Sequence, residues 1–177
     1  MKNYVYIATS LDGYIAGPGG EIDWLNDIPN PEGSDFGFAE FMQDIDALLM
    51  GRNTFDVLTG FDQWIYDKPV FVWSSTLAEL SAKYAGKAEI VRGSLEEVLG
   101  RLHERGYLNL YIDGGKTVQS FLADDRIDEM IITTVPILLG KGIPLFGTMD
   151  TRLHFRHVKT ETFSNGLVKN RYVRERG

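Results

Sequence analysis

Two apolar stretches of this sequence end in the same way. Leu48-Leu49-Met50 runs into Gly51-Arg52, and Leu110-Tyr111-Ile112 runs into Asp113-Gly114-Gly115. A strand that stops at glycine and gives way to a helix leaves the first N–H groups of that helix without intrahelical partners. In a parallel sheet such ends gather at the carboxyl edge, where they stabilise a phosphate. Glycine at either joint also serves simply as a tight strand-to-helix turn. Two joints together, one followed by Arg52 and Thr54, shift the reading toward a nucleotide. Gly115-Lys116-Thr117 does not complete a P-loop, because Leu110 stands where its first glycine is required, and no G-x-G-x-x-G follows a predicted strand. A dinucleotide held here is held in another way.

Other polar residues carry two readings each. Ser74-Ser75-Thr76 closes an apolar run with hydroxyls, which suits either a phosphate or a strand-end turn with a helix cap. Asp12 before Gly13 organises a turn or faces a ligand. His103, His154 and His157 form no set with carboxylates at metal spacing, so no metal is expected. The absence of cysteine removes disulfides, thiolate metal sites and cysteine nucleophiles.

The elements that must position these residues follow from periodicity and punctuation. Short apolar runs at residues 4–8, 47–50, 68–74, 89–92, 108–113 and 129–135 read as strands. Helices are expected near residues 35–44, after Gly51, and after Gly114-Gly115, where Val118, Phe121 and Leu122 give the buried side. Ser94 with Glu97 three residues later is a capping-box pattern ahead of the stripe Leu95, Val98, Leu99, Leu102. Residues 17–31 form a long loop around Trp24, and such loops on rigid scaffolds are often functional. Residues 153–162 and 167–174 read as two strands joined around Asn165-Gly166. Strands alternating with helices, then a hairpin, predict an α/β fold with a mostly parallel sheet, helices on both faces and an antiparallel edge.

With 177 residues, 44% hydrophobic, and no linker-like stretch, residues 1–177 are expected to be one domain. A net charge of −7 repels nucleic acid and anionic lipid, so neither is an expected partner. No run could span a bilayer and the first residues lack a signal-peptide pattern, which makes a cytoplasmic location the simplest reading.

The ordered motifs resemble the dihydrofolate reductase superfamily. Leu49-Met50-Gly51-Arg52-Asn53-Thr54-Phe55 looks like its M-G-R-x-T-[WF] segment, and Asp113-Gly114-Gly115 like its second phosphate loop. Ser10-Leu11-Asp12-Gly13-Tyr14-Ile15-Ala16 is similar to the opening of the bacterial riboflavin-biosynthesis reductase domain, and residues 136–146 resemble the P-x-L-L-G-x-G-x-x-L-F segment of that branch. The resemblance implies a dihydrofolate-reductase-like three-layer sandwich that binds NADPH in an extended pose. It places Ala8 and Ile15 at the nicotinamide, and Gly51, Arg52 and Thr54 at the pyrophosphate. Ser74 and Ser75 then lie beside the adenosine ribose and its extra phosphate, with Gly114, Gly115, Lys116 and Val118 along the opposite loop. On the substrate side it points to Asp35 as the carboxylate of the first helix, with Glu40 one turn later, and to Asp12 and Trp24. Asp35 also fits a helix cap, and Trp24 an anchor for its loop. The implied activity is reduction of a small pterin- or pyrimidine-type substrate, as in dihydrofolate reductase or 5-amino-6-(5-phosphoribosylamino)uracil reductase. Reduction of another small carbonyl or imine, and nucleotide binding without turnover, are the alternatives. The branch often forms homodimers, for which the hairpin at residues 153–174 offers a surface.

Overall fold

The computed structural model describes residues 1–61 and 63–176. In chain order the elements are β1 (Lys2–Ser10), β2 (Tyr14–Ala16), α1 (Phe38–Gln43), β3 (Ala47–Gly51), α2 (Arg52–Thr59) and β4 (Val70–Trp73). They continue with β5 (Ala88–Val91), α3 (Leu95–Glu104), β6 (Asn109–Asp113), α4 (Gly115–Ala123), β7 (Glu129–Val135), β8 (Ile143–Pro144), β9 (Phe155–Thr162) and β10 (Val168–Arg174). Eight strands form one sheet in the order β5-β4-β3-β6-β1-β7-β10-β9. Neighbours from β5 to β7 pair in parallel, and β10 runs antiparallel to both β7 and β9. The expected α/β sheet with an antiparallel edge is what the chain forms.

Helices lie on both faces, and the period-2 alternation of the strands decides which residue meets which. In β3, Ala47 and Leu49 join Leu95, Val98, Leu102, Val118 and Phe121 of α3 and α4 in one core. Leu48 and Met50 point the other way, onto Met42, Phe55 and Leu58 of α1 and α2. A strand buried on both sides therefore reads as an uninterrupted apolar run, and each such side chain contributes about 1.5–3 kcal/mol of burial.

The Ser94-Glu97 pattern forms a capping box. Ser94 Oγ accepts from Glu97 N at 3.3 Å, and the Glu97 carboxylate accepts from Ser94 N at 2.7 Å. The β9–β10 hairpin closes through three residues: Phe163 N donates to Leu167 O at 3.0 Å, and Gly166 takes φ +87°, where the left-handed conformation excludes most side chains. A two-stranded sheet of β2 and β8 has no counterpart in the sequence reading. These strands are two or three residues long, and their contact depends on Gly142, where a Cβ would come within 2.2 Å of the Ala16 carbonyl oxygen. Among the described residues no helix is long and apolar enough to cross a membrane.

Candidate active site

The carboxyl ends of β1, β3, β4 and β6 open onto one cleft of about 930 Å³. That is toward the upper end of the range for small-molecule sites. Ala8 and Ile15 form part of its apolar wall. Gly51, Arg52 and Thr54 enter from the β3–α2 joint, Gly114, Gly115 and Lys116 from the β6–α4 joint, and Ser74 and Ser75 from the end of β4. Ten of the sequence-derived positions thus share one surface.

The two glycine joints touch. Gly114 has φ +90°, and a Cβ there would lie 2.0 Å from Thr54 Oγ1. Only glycine lets the start of α4 approach the first turn of α2 so closely. Among the described residues neither helix has a side-chain N-cap, and neither carries an acidic residue in its first turn. Arg52 and Lys116 stand there instead. Free helix N-terminal N–H groups, two cations and a close glycine joint fit the pyrophosphate of a dinucleotide. Ser74 contributes less than expected, because its Oγ accepts from Thr76 N at 3.3 Å and Leu77 N at 3.1 Å and so serves the turn after β4.

Five sequence-derived positions lie elsewhere. Val118 is fully buried in the core under α4, on the stripe it shares with Phe121 and Leu122, and does not line the cleft. Asp35 caps the start of α1: its carboxylate accepts from Gly37 N at 2.9 Å and Ala39 N at 2.8 Å, which lowers its pKa. It is exposed and outside the cleft. Glu40 lines a separate, smaller cavity with Tyr4, Asp44 and Arg171. Asp12 accepts from Ser10 Oγ at 2.6 Å, Gly140 N at 2.7 Å and Leu139 N at 3.1 Å. It ties the first turn to the loop at residues 136–142, and the Ser10 bond leads in lowering its pKa. Trp24 is buried against Val135 and Leu167 with Ala8 alongside, anchoring its loop to the sheet. Its Nε1 has no acceptor among the described residues.

Two carboxyl groups line the cleft: Asp56, exposed on α2 and paired with Arg52 at 3.5 Å, and Asp113, which in the sequence is the lead-in to two glycines. Its position at the end of β6 puts it on the same face as Tyr111, and Tyr66 lies close enough to feel its charge. Burial pushes the Asp113 pKa up to about 6, while the Gly114 N–H, 2.8 Å from Oδ1, and the Tyr111 hydroxyl pull the other way. The same burial raises Tyr66 well above the ordinary phenol range. A carboxylic acid that keeps its proton to near neutrality, in a cleft beside two phenols, is equipped for proton transfer.

The family described as the RibD C-terminal domain matches residues 4–169. The chain is similar to a Shewanella sp. PV-4 protein provisionally named for riboflavin biosynthesis, with 48% identity over 99% of this chain and 100% of that one and a TM-score of 0.95. It is 34% identical to the uncharacterized protein YwjB of Bacillus subtilis over 98% of each chain. At fold level it matches a deaminase/5-amino-6-(5-phosphoribosylamino)uracil reductase of Thermotoga maritima, with 18% identity, a TM-score of 0.74, and coverage of 98% of this chain but 56% of that one. It also matches Enterococcus faecalis dihydrofolate reductase complexed with NADP(H), with 17% identity, a TM-score of 0.69 and coverage of 99% and 97%.

Proposed function

The chain belongs to the RibD C-terminal domain family, and from that premise we propose that it is an NADPH-dependent reductase of a small planar pterin- or pyrimidine-type substrate. The observation that carries the reading is the cleft itself, where two helix N-termini without side-chain caps, bearing Arg52 and Lys116, adjoin an apolar wall and the protonatable carboxyl of Asp113.

NADPH supplies the hydride. Arg52, Thr54 and the Gly114-Gly115 backbone hold its phosphates, and Ala8 and Ile15 present a flat apolar surface to the nicotinamide while excluding water. Asp113 replaces Asp35 as the proton source. It hydrogen-bonds the acceptor, fixes its orientation and delivers the proton that balances the reduction. Ser75, Arg52 and Lys116 favour the extra phosphate of NADPH over NADH. The protein acts in the cytoplasm on a free small molecule, without nucleic acid or membrane, and as a homodimer joined through the β9–β10 hairpin.

The test is calorimetric titration with NADPH and NADH, followed by NADPH oxidation against a panel of pteridines, aminopyrimidines and aryl carbonyls. Binding of NADPH with oxidation by at least one acceptor is the expected result. No heat with either cofactor removes the reading; binding without any turnover leaves a nucleotide-binding protein. Light scattering that shows a monomer at high concentration removes the dimer.

A further inference from the structure

We infer that the acceptor end of this cleft selects an uncharged substrate, one that bears neither a phosphate nor a carboxylate tail. The inference rests on the functional reading above and deepens it. Among the described residues the cations lining the cleft are Arg52 and Lys116, both in the first turns of the helices that receive the cofactor phosphates. Arg52 is also shared with Asp56 at 3.5 Å.

Much of the rest of the lining is apolar. Phe61 lies nine residues beyond Arg52, past the end of α2, and Leu25, Leu58, Ile65 and the ring of Tyr66 also line the cleft. Phe61 and Ile65 are 44% and 55% exposed, large apolar side chains left at the mouth of a cleft, as they are where a ligand covers them.

The glycine-rich loop in the lining offers an anion little help. Gly17 N donates to Glu21 O at 2.8 Å, Gly19 N to the Glu21 carboxylate at 2.9 Å, and Gly20 N to Gly17 O at 3.0 Å. Its N–H groups are engaged, and one of their acceptors is itself an anion. The other ionisable groups of the lining are the carboxyls of Asp56 and Asp113 and the phenol of Tyr66, none of them a cation. A phosphate or carboxylate pressed against this surface would lose water and gain no counter-charge. A neutral ring that can hydrogen-bond Asp113 loses nothing. The phosphoribosyl substrate in the name of the Thermotoga protein is thereby a poor fit to this chain.

The experiment uses matched pairs on NADPH-saturated full-length protein: pterin against pterin-6-carboxylate by fluorescence titration, and uridine against uridine 5′-phosphate by calorimetry. The neutral member of each pair should bind at least tenfold more tightly. Ile65→Lys, which places a cation at the exposed rim, should narrow or reverse the gap. Equal or tighter binding of the anionic members overturns the inference, and so does binding of neither member while NADPH binds normally. Failure of NADPH to bind strikes the cofactor reading instead, and the same pairs titrated into cofactor-free protein still decide the charge preference.

Discussion

The N-terminus of α3 and those of α2 and α4 obey the same physics with opposite solutions. At α3 the free N–H groups are met from within, by the Ser94 hydroxyl, while Glu96 and Glu97 in the first turn complement the positive end of the helix. At α2 and α4 glycine occupies the cap, the first turn holds no acidic residue, and Arg52 or Lys116 adds charge of the sign that the helix end already carries. Each arrangement is locally unfavourable on its own, and both lie on the cleft. α3 meets its need inside the chain; the other two leave theirs open to the cleft.

The largest expected effect comes from closing the joint between the two open ends. Gly114→Ala forces a Cβ into Thr54 at a φ of +90° and should both destabilise the fold by several kcal/mol and abolish NADPH binding within the reach of calorimetry. A variant with wild-type melting temperature and affinity would show that the glycine is not needed for the approach of α4 to α2.

Next in size is Asp113→Asn. The rate of NADPH oxidation should fall roughly a hundredfold with NADPH affinity retained, as for a lost proton-transfer group. In the wild type kcat/KM should decline as pH rises through about 6, where Asp113 loses its proton. Stability moves in step. A carboxyl whose folded pKa lies above its ordinary value of 3.8 holds its proton more tightly in the native state, so stability falls as pH rises from about 4 to 6. Above that window the asparagine variant should be the more stable, by up to about 3 kcal/mol in urea titrations. A flat pH–rate profile would exclude Asp113 as the donor.

Arg52→Ala and Lys116→Ala should each weaken NADPH binding by about tenfold, with a steeper salt dependence in the wild type, and leave the melting temperature unchanged or slightly raised. Ser94→Ala should do the reverse, costing about 1 kcal/mol of stability in chemical denaturation with no change in NADPH affinity. If both classes of variant lost stability alike, the distinction between capped and open helix ends would collapse. The smallest effect is expected for Asp35→Asn. Asparagine is itself a good cap, so turnover and NADPH affinity should match the wild type in steady-state assays; a large loss of rate would restore Asp35 to the chemistry.

What could be read in advance was local. The Ser94-Glu97 spacing, the strand at Glu129–Val135 and the two glycine joints are set by residues within a few positions of one another, and the structure has each of them. Val118 shows where two readings collided. Helical periodicity had already put it on the buried stripe with Phe121 and Leu122, and the structure follows the periodicity rather than the resemblance. Asp35 and Glu40 rest on the resemblance alone, and a resemblance of motifs on either side of the first helix does not fix the register of that helix. Asp113 stands in plain view, but what raises its pKa is burial, in a site to which Tyr66 comes from a distant part of the chain. No spacing in the sequence encodes that desolvation.

The place of β1 also bears on how the chain reaches this state. Its flanks are taken by β6 and β7, with Tyr4 opposite Tyr111 and Val5 opposite Met130, so a strand that comes before all the others of this sheet in chain order lies at its middle. From the end of β1 to the end of β7 a ribosome adds residues 11–135, which at about 5–20 residues per second takes roughly 6–25 s. Until β6 is made at Asn109–Asp113 a run of Tyr, Val and Ile has both edges bare, and until β7 follows it still has one. Nascent-chain surveillance has its longest opportunity at this strand, and substitutions there should lower the yield of folded protein in cells more than they lower the stability of the molecules that succeed.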